Sequence, residues 1–241
     1  SDNVIVYVHG RACGGGEPSK SLEGSMPEME ADYSARVLMF NWPGADEGCP
    51  LGFPEAEARA SGAAFAHTLH KLAYFKATHG PALAGIKLTL ITHSMGNLVL
   101  EEAAETDVVP LPSTLFDTVV VGSSATARDD HHLWLSKVGF SPNLYVTENN
   151  SDSVLTAAGA FGTRLGKNVN GAMLAANAVY VDFTAASVNH AYYIHSGQDG
   201  AHMMAFYDAV MNGQPYDFGS SDAIASVEAR DGTFLYFFDG Q

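Results

Sequence analysis

Residues with the types and spacing for chemistry appear first at Leu90-Ile91-Thr92-His93-Ser94-Met95-Gly96-Asn97. An apolar run leads into Ser94, with Thr92 two positions before it and Gly96 two after, and a helical pattern leads out. A serine at the apex of a sharp strand-to-helix turn projects its hydroxyl above the sheet edge. The positions two before and two after it must be small, because strand and helix nearly collide there. Gly96 meets that need; Thr92 stands where a glycine is usual. The helix that follows aims its first N–H groups at the same spot, where an oxyanion would be stabilised. Ser94 is therefore the candidate nucleophile.

A serine hydroxyl needs a base, and the base needs an acid to orient it. On this architecture the chain order is serine, acid, histidine. Asp152 follows a fifth apolar run, within Glu148-Asn149-Asn150-Ser151-Asp152-Ser153, and is the candidate acid. It equally suits an ordinary helix N-cap. Asp129, Asp130 and Glu148 are its rivals. His190 is the candidate base, with His195 and His202 as later alternatives; the other seven histidines precede the acid. Val8-His9-Gly10-Arg11 ends the first apolar run, where a loop N–H of an oxyanion hole is expected. The main chains of Arg11 and Met95 are the candidate donors, and Gly10 lets the backbone approach a substrate. Trp42, Phe53, Tyr192 and Tyr193 either line an acyl pocket or are ordinary core aromatics. Asp129-Asp130-His131-His132 reads as a solvated helix start, because adjacent helical residues point apart and do not converge on a metal. No metal or organic cofactor is expected.

The elements that must position these residues alternate. Short apolar runs of the kind that form strands buried on both faces occur at 4–8, 36–40, 88–92, 118–121, 143–147 and 179–183. Helical patterns fall at 58–76, 97–105, 129–137 and 200–211. Such alternation predicts a mostly parallel α/β sheet of about six strands with helices on both faces. Functional residues then belong in loops at the carboxyl ends of strands. The stretch 214–241 departs from this, and Ser226–Arg230, Asp231-Gly232 and Thr233–Phe238 read as a β-hairpin. One domain over 1–241 is expected, with the hairpin as its extension.

Composition narrows the partners. The 241 residues hold 12 Lys+Arg against 27 Asp+Glu, a net charge of −15, and 46% are hydrophobic. That balance opposes nucleic acid and anionic membrane surfaces, and no run is long enough for a membrane span. The apolar fraction supports a large core. Cys13 and Cys49 lie in Gly/Pro-rich loops after the first two runs. If those strands are neighbours the cysteines can pair; otherwise they are free thiols. Scarce lysine and such a bond would suit a secreted or periplasmic protein with its signal peptide trimmed, and a cytoplasmic place stays open.

Taken together, Tyr7-Val8-His9-Gly10, Phe40-Asn41-Trp42-Pro43-Gly44, the Ala-rich helix around 58–72 and His93-Ser94-Met95-Gly96-Asn97 resemble the α/β-hydrolase superfamily. More narrowly, they are similar to a bacterial family of α/β hydrolases of unknown function. Asp152-Ser153-Val154-Leu155 resembles that family's acid-bearing turn, and His190-Ala191-Tyr192-Tyr193 its His-x-Tyr segment. The resemblance spans about residues 4–212. Members often carry strands ahead of the first one here, so either a smaller sheet or a start trimmed of those strands is expected. The resemblance also implies a serine hydrolase acting on a small-molecule carboxylic ester, with Ser94, Asp152 and His190 as the triad. An acyltransferase, thioesterase or amidase with the same triad, or a silent binding module, are the alternatives. The long Gly-rich loop 11–34 departs from the pattern and is expected to shape the substrate mouth.

Overall fold

Side chains along each central strand divide by parity between two cores. Ile5 and Tyr7 of the first strand enter one, while Val6 and Val8 enter the other. Leu90 and Ile91, Val119 and Val120, and Val146 and Tyr145 split in the same way. This is the period-two geometry of a strand covered on both faces. The computed structural model describes residues 3–13, 21–46, 53–106, 110–159, 162–186, 189–195 and 200–240; for 12, 13, 21, 22, 45 and 46 it describes the backbone alone.

The chain runs through β1 (Val4–Val8), β2 (Ala12–Cys13), α1 (Met26–Asp32), β3 (Arg36–Phe40) and β4 (Ala45–Asp46). It continues through α2 (Glu55–Ala60), α3 (Gly62–His79), β5 (Leu88–His93), α4 (Gly96–Thr106) and β6 (Thr118–Gly122). Then come α5 (His131–Leu135), β7 (Leu144–Glu148), α6 (Ser153–Ala158), β8 (Val179–Asp182), α7 (Ala201–Met211), β9 (Ile224–Arg230) and β10 (Thr233–Phe238). Eight strands form one sheet in the order β3-β1-β5-β6-β7-β8-β10-β9, and only the β9–β10 pairing is antiparallel.

The sheet is larger than the six strands expected from sequence. The hairpin, expected as an extension of the domain, adds to the edge of the sheet. Its second strand pairs with β8 in parallel, Leu235 opposite Tyr180, and so continues the sheet. The hairpin turn has positive φ at both Asp231 (53°) and Gly232 (83°), which is why an Asp-Gly pair occupies it. A second small sheet, β2 with β4, was not foreseen; it joins the loops after β1 and β3. The Cys13–Cys49 pairing lies outside the described residues.

Helices cover both faces. Residues of α2, α3, α4, α5 and α6 (Ala58, Phe65, Leu98, Trp134, Leu155) enter one core. Residues of α1 and α7 (Met29, Met203, Phe206) enter the other. The helix expected over 58–76 is two helices, meeting at Ser61. The helix expected over 129–137 is shorter, because Asp130 takes a left-handed φ of 62° just before His131. Strand order reverses around β1, which lies between β3 and β5. In open parallel sheets such a reversal opens a crevice at the carboxyl ends of the flanking strands. His9-Gly10 and His93-Ser94 stand at those ends. Among the described residues, no helix is long and apolar enough to cross a membrane.

Candidate active site

The turn between β5 and α4 carries Ser94 at φ 53°. A left-handed serine costs of order 1–3 kcal/mol and persists only where neighbours hold it. Here they do. The Ser94 N–H donates to Gly122 O at 3.1 Å. Its carbonyl accepts from Asn97 N–H (3.2 Å), Ala125 N–H (3.1 Å) and Asn97 Nδ2 (3.0 Å). Asn97 Nδ2 also donates to Gly122 O at 3.0 Å, and Asn97 Oδ1 accepts from Thr92 Oγ1 at 2.5 Å. Thr92, the departure from the usual glycine, thus fastens the asparagine that fastens the turn. Gly96 has no such latitude: a Cβ there would lie 2.5 Å from Val8 O and 2.6 Å from His9 O.

The loop after β1 closes on the same point. A Cβ on Gly10 would lie 2.9 Å from Ser94 Cβ, so the backbone at Gly10 runs beside the serine. His9 is fully buried and stacks on Trp42 at 5.4 Å. Its Nδ1 donates to Gly10 O at 2.7 Å, Trp42 N–H donates to its Nε2 at 3.2 Å, and Trp42 Nε1 donates to His9 O at 2.8 Å. His9 and Trp42 together stiffen the loop. Met95 immediately precedes α4, whose leading N–H groups lack intrahelical acceptors.

Asp152 is fully buried and caps α6: Oδ1 accepts from Leu155 N–H at 2.9 Å. Its other oxygen, Oδ2, accepts from His190 Nδ1 at 2.6 Å. Lys167 Nζ donates to the carbonyls of Asn150 and Asp152 and to Thr156 Oγ1, and so holds the acid's turn. His190 is tied through its carbonyl to the serine turn. That oxygen accepts from Ser123 Oγ at 2.6 Å and from His93 Nε2 at 3.3 Å. The His93 ring lies 4.8 Å from that of His190 and 4.9 Å from that of Tyr193. Burial, then the neighbouring His190, holds the His93 pKa well below its ordinary 6.5. His93 is thus a neutral donor, fixed with its proton on Nε2.

The rival candidates stand apart from this pair. Asp129 is exposed and paired with Arg128. Glu148 is buried, and burial followed by Asp182 on the adjacent strand raises its pKa to about 8. His195 Nε2 lies 3.3 Å from Asp208, and His202 Nδ1 lies 2.8 Å from Asp239. His131 is buried rather than solvated; it bonds Arg128 O and Tyr180 OH. Trp42 and Tyr192 are both buried, and Tyr192 OH meets Thr147 Oγ1 at 3.1 Å. Trp42 belongs to one core and Tyr192 to the other.

Sequence reasoning passed over Ser123, Asn97 and Lys167. Ser123-Ser124 directly after an apolar run was the one visible signal. The φ of 45° that turns Ser123 toward His190 is not written in its residue type. No protein-family model matches the chain, and no curated protein matches its sequence.

Proposed function

We propose that this chain is a serine hydrolase of the α/β-hydrolase kind that cleaves carboxylic esters. The observation that carries the reading is the His190–Asp152 contact at 2.6 Å, with the His190 carbonyl bonded to the side chain that precedes Ser94. With Nδ1 donating to Asp152, a neutral His190 carries its lone pair on Nε2.

In this reading His190 Nε2 takes the Ser94 proton as Oγ attacks the ester carbonyl. Asp152 holds the tautomer and stabilises the imidazolium. The Arg11 and Met95 N–H groups bind the oxyanion. The imidazolium then protonates the leaving alkoxide, which departs as the alcohol. Water attacks the acyl-enzyme with His190 again as base, returning Ser94 and releasing the acid.

A fluorophosphonate probe tests this directly. Labelling of the folded chain at Ser94, lost in Ser94→Ala together with turnover of short aryl esters, is the expected result. Folded protein that neither labels nor turns over an ester panel would overturn it.

A further inference from the structure

His190 belongs to no strand or helix; residues 189–195 form a loop. Side chains from other parts of the chain hold that loop. Asn149 Nδ2 donates to Asn189 O at 3.3 Å, the Tyr33 hydroxyl donates to Tyr193 O, and His195 N–H donates to Asp32 Oδ2 at 2.9 Å. The Tyr192 and Tyr193 hydroxyls meet Thr147 Oγ1 and Tyr7 OH at 3.1 and 3.0 Å. The imidazole turns about χ1 and χ2 only, so the His190 backbone decides where Nε2 can reach. The carbonyl of His190 itself accepts from Ser123 Oγ at 2.6 Å and from His93 Nε2 at 3.3 Å. The serine bond is the shorter of the two.

Ser123 lies inside the turn that also grips Ser94. One residue before it, Gly122 O accepts from Ser94 N–H at 3.1 Å. Two residues after it, Ala125 N–H donates to Ser94 O at 3.1 Å. Segment 122–125 thus holds the N–H and the carbonyl of the candidate nucleophile together with the carbonyl of the candidate base. The turn is itself constrained. Ser123 is fully buried with a φ of 45°, a conformation uncommon for serine that persists where the surroundings impose it. Gly166 presses on it from outside. A Cβ there would lie 2.2 Å from Ser124 N and 2.4 Å from Ser123 C, and Gly166 N–H donates to Ser124 O at 2.9 Å.

We propose that Ser123 is a positioning residue whose hydroxyl fixes the His190 backbone relative to Ser94, so that the turn after β6 sets the spacing of nucleophile and base. The catalytic consequence rests on the hydrolase reading of Ser94; the tether between Ser123 and His190 does not. The hydroxyl acts through His190 and not on the substrate. Its loss therefore belongs in kcat and leaves KM unchanged.

Two variants separate the hydroxyl from the turn that carries it. Ser123→Ala removes the hydroxyl and keeps a side chain at the left-handed φ. Ser123→Gly removes the hydroxyl and adopts that φ freely. On short aryl esters both should lower kcat by about ten- to a hundredfold, the scale of misplacing a reacting group, with KM unchanged. In proton NMR of the resting chain, the His190 Nδ1 proton, identified by its loss in His190→Gln, should exchange with water faster in both variants. Wild-type kcat and wild-type exchange in Ser123→Gly would mean that only the shape of the turn matters, and would overturn the proposal. The glycine variant decides alone if Ser123→Ala does not fold. Lower kcat with wild-type exchange would place the defect away from His190 and overturn it too, as would a loss carried by KM. Faster exchange in both variants of a chain whose Ser94 never labels with a fluorophosphonate would overturn the hydrolase reading and keep the tether.

Discussion

Asp152 and His190 meet at 2.6 Å through Oδ2 and Nδ1, while the other oxygen of the same carboxylate caps α6. One side chain thus serves a helix and an imidazole, and two substitutions separate the roles. Asp152→Asn keeps an N-cap, so stability should change by less than about 1 kcal/mol. Ester turnover should nevertheless fall by about 10³–10⁴, because the amide no longer enforces the tautomer. Asp152→Ala should lose both, costing about 1–2 kcal/mol in cap energy. Steady-state kinetics with urea titrations on both variants check this; near wild-type turnover in Asp152→Asn would remove it from the catalytic set.

Gly96→Ala tests the approach of α4 to β1. Its Cβ would lie 2.5 Å from Val8 O and 2.6 Å from His9 O, both backbone atoms. Relief requires the helix start to move off the strand. A loss of about 1–3 kcal/mol is expected, together with much slower fluorophosphonate labelling, since Ser94 moves with the helix. A wild-type urea midpoint would mean that the close approach is not rigid.

Much of this was legible in the residues. The strands announce themselves because a run buried on both faces is apolar at nearly every position, as in Val4–Val8 and the three valines 119–121. Ser94, Asp152 and His190 were singled out as candidates from chain order and loop position, and the structure brings the last two into contact. Ser123 and Lys167 were not foreseen, because they act through single bonds to backbone carbonyls set by tertiary geometry. The split of the long helix at Ser61 and the left-handed Asp130 were also invisible, since neither residue type demands it. The hairpin was read correctly as a local unit. Its pairing with β8 depends on a contact between Leu235 and Tyr180, 55 positions apart in the chain, and local patterning does not carry that.

Thr92→Val tests the link that replaces the usual glycine. The substitution keeps shape and burial but removes the hydroxyl that donates to Asn97 Oδ1. A buried acceptor left unpaired costs about 1–3 kcal/mol. The asparagine is then less firmly held, and with it the carbonyls of Ser94 and Gly122. Lower thermal stability with a reduced kcat is expected. Asn97→Asp should be worse, because it removes both Nδ2 donations and brings a charge into a buried position. A Thr92→Val variant as stable as wild type would show that Asn97 is fixed by its Nδ2 bonds alone.

Glu148 sets a stability trend with pH whose sign follows from its surroundings. Burial, then the Asp182 carboxylate opposite it, raises its folded pKa to about 8 against an ordinary 4.5. Between those values the folded chain holds a proton that the unfolded chain has released. The slope of unfolding free energy with pH is therefore negative. The contribution is fully present below about pH 4.5, declines as pH rises and is lost through pH 8. A shift of this size corresponds to a few kcal/mol. His131 works in the opposite sense: burial lowers its pKa to about 4, so stability falls as pH drops below its ordinary 6.5. The two trends overlap, and the wild-type curve alone does not separate them. Glu148→Gln isolates the first, since it keeps the shape and cannot ionise. Its stability relative to wild type should grow steadily from pH 5 to pH 8 in urea titrations. Parallel curves across that range would mean that Glu148 ionises as readily when folded as when unfolded.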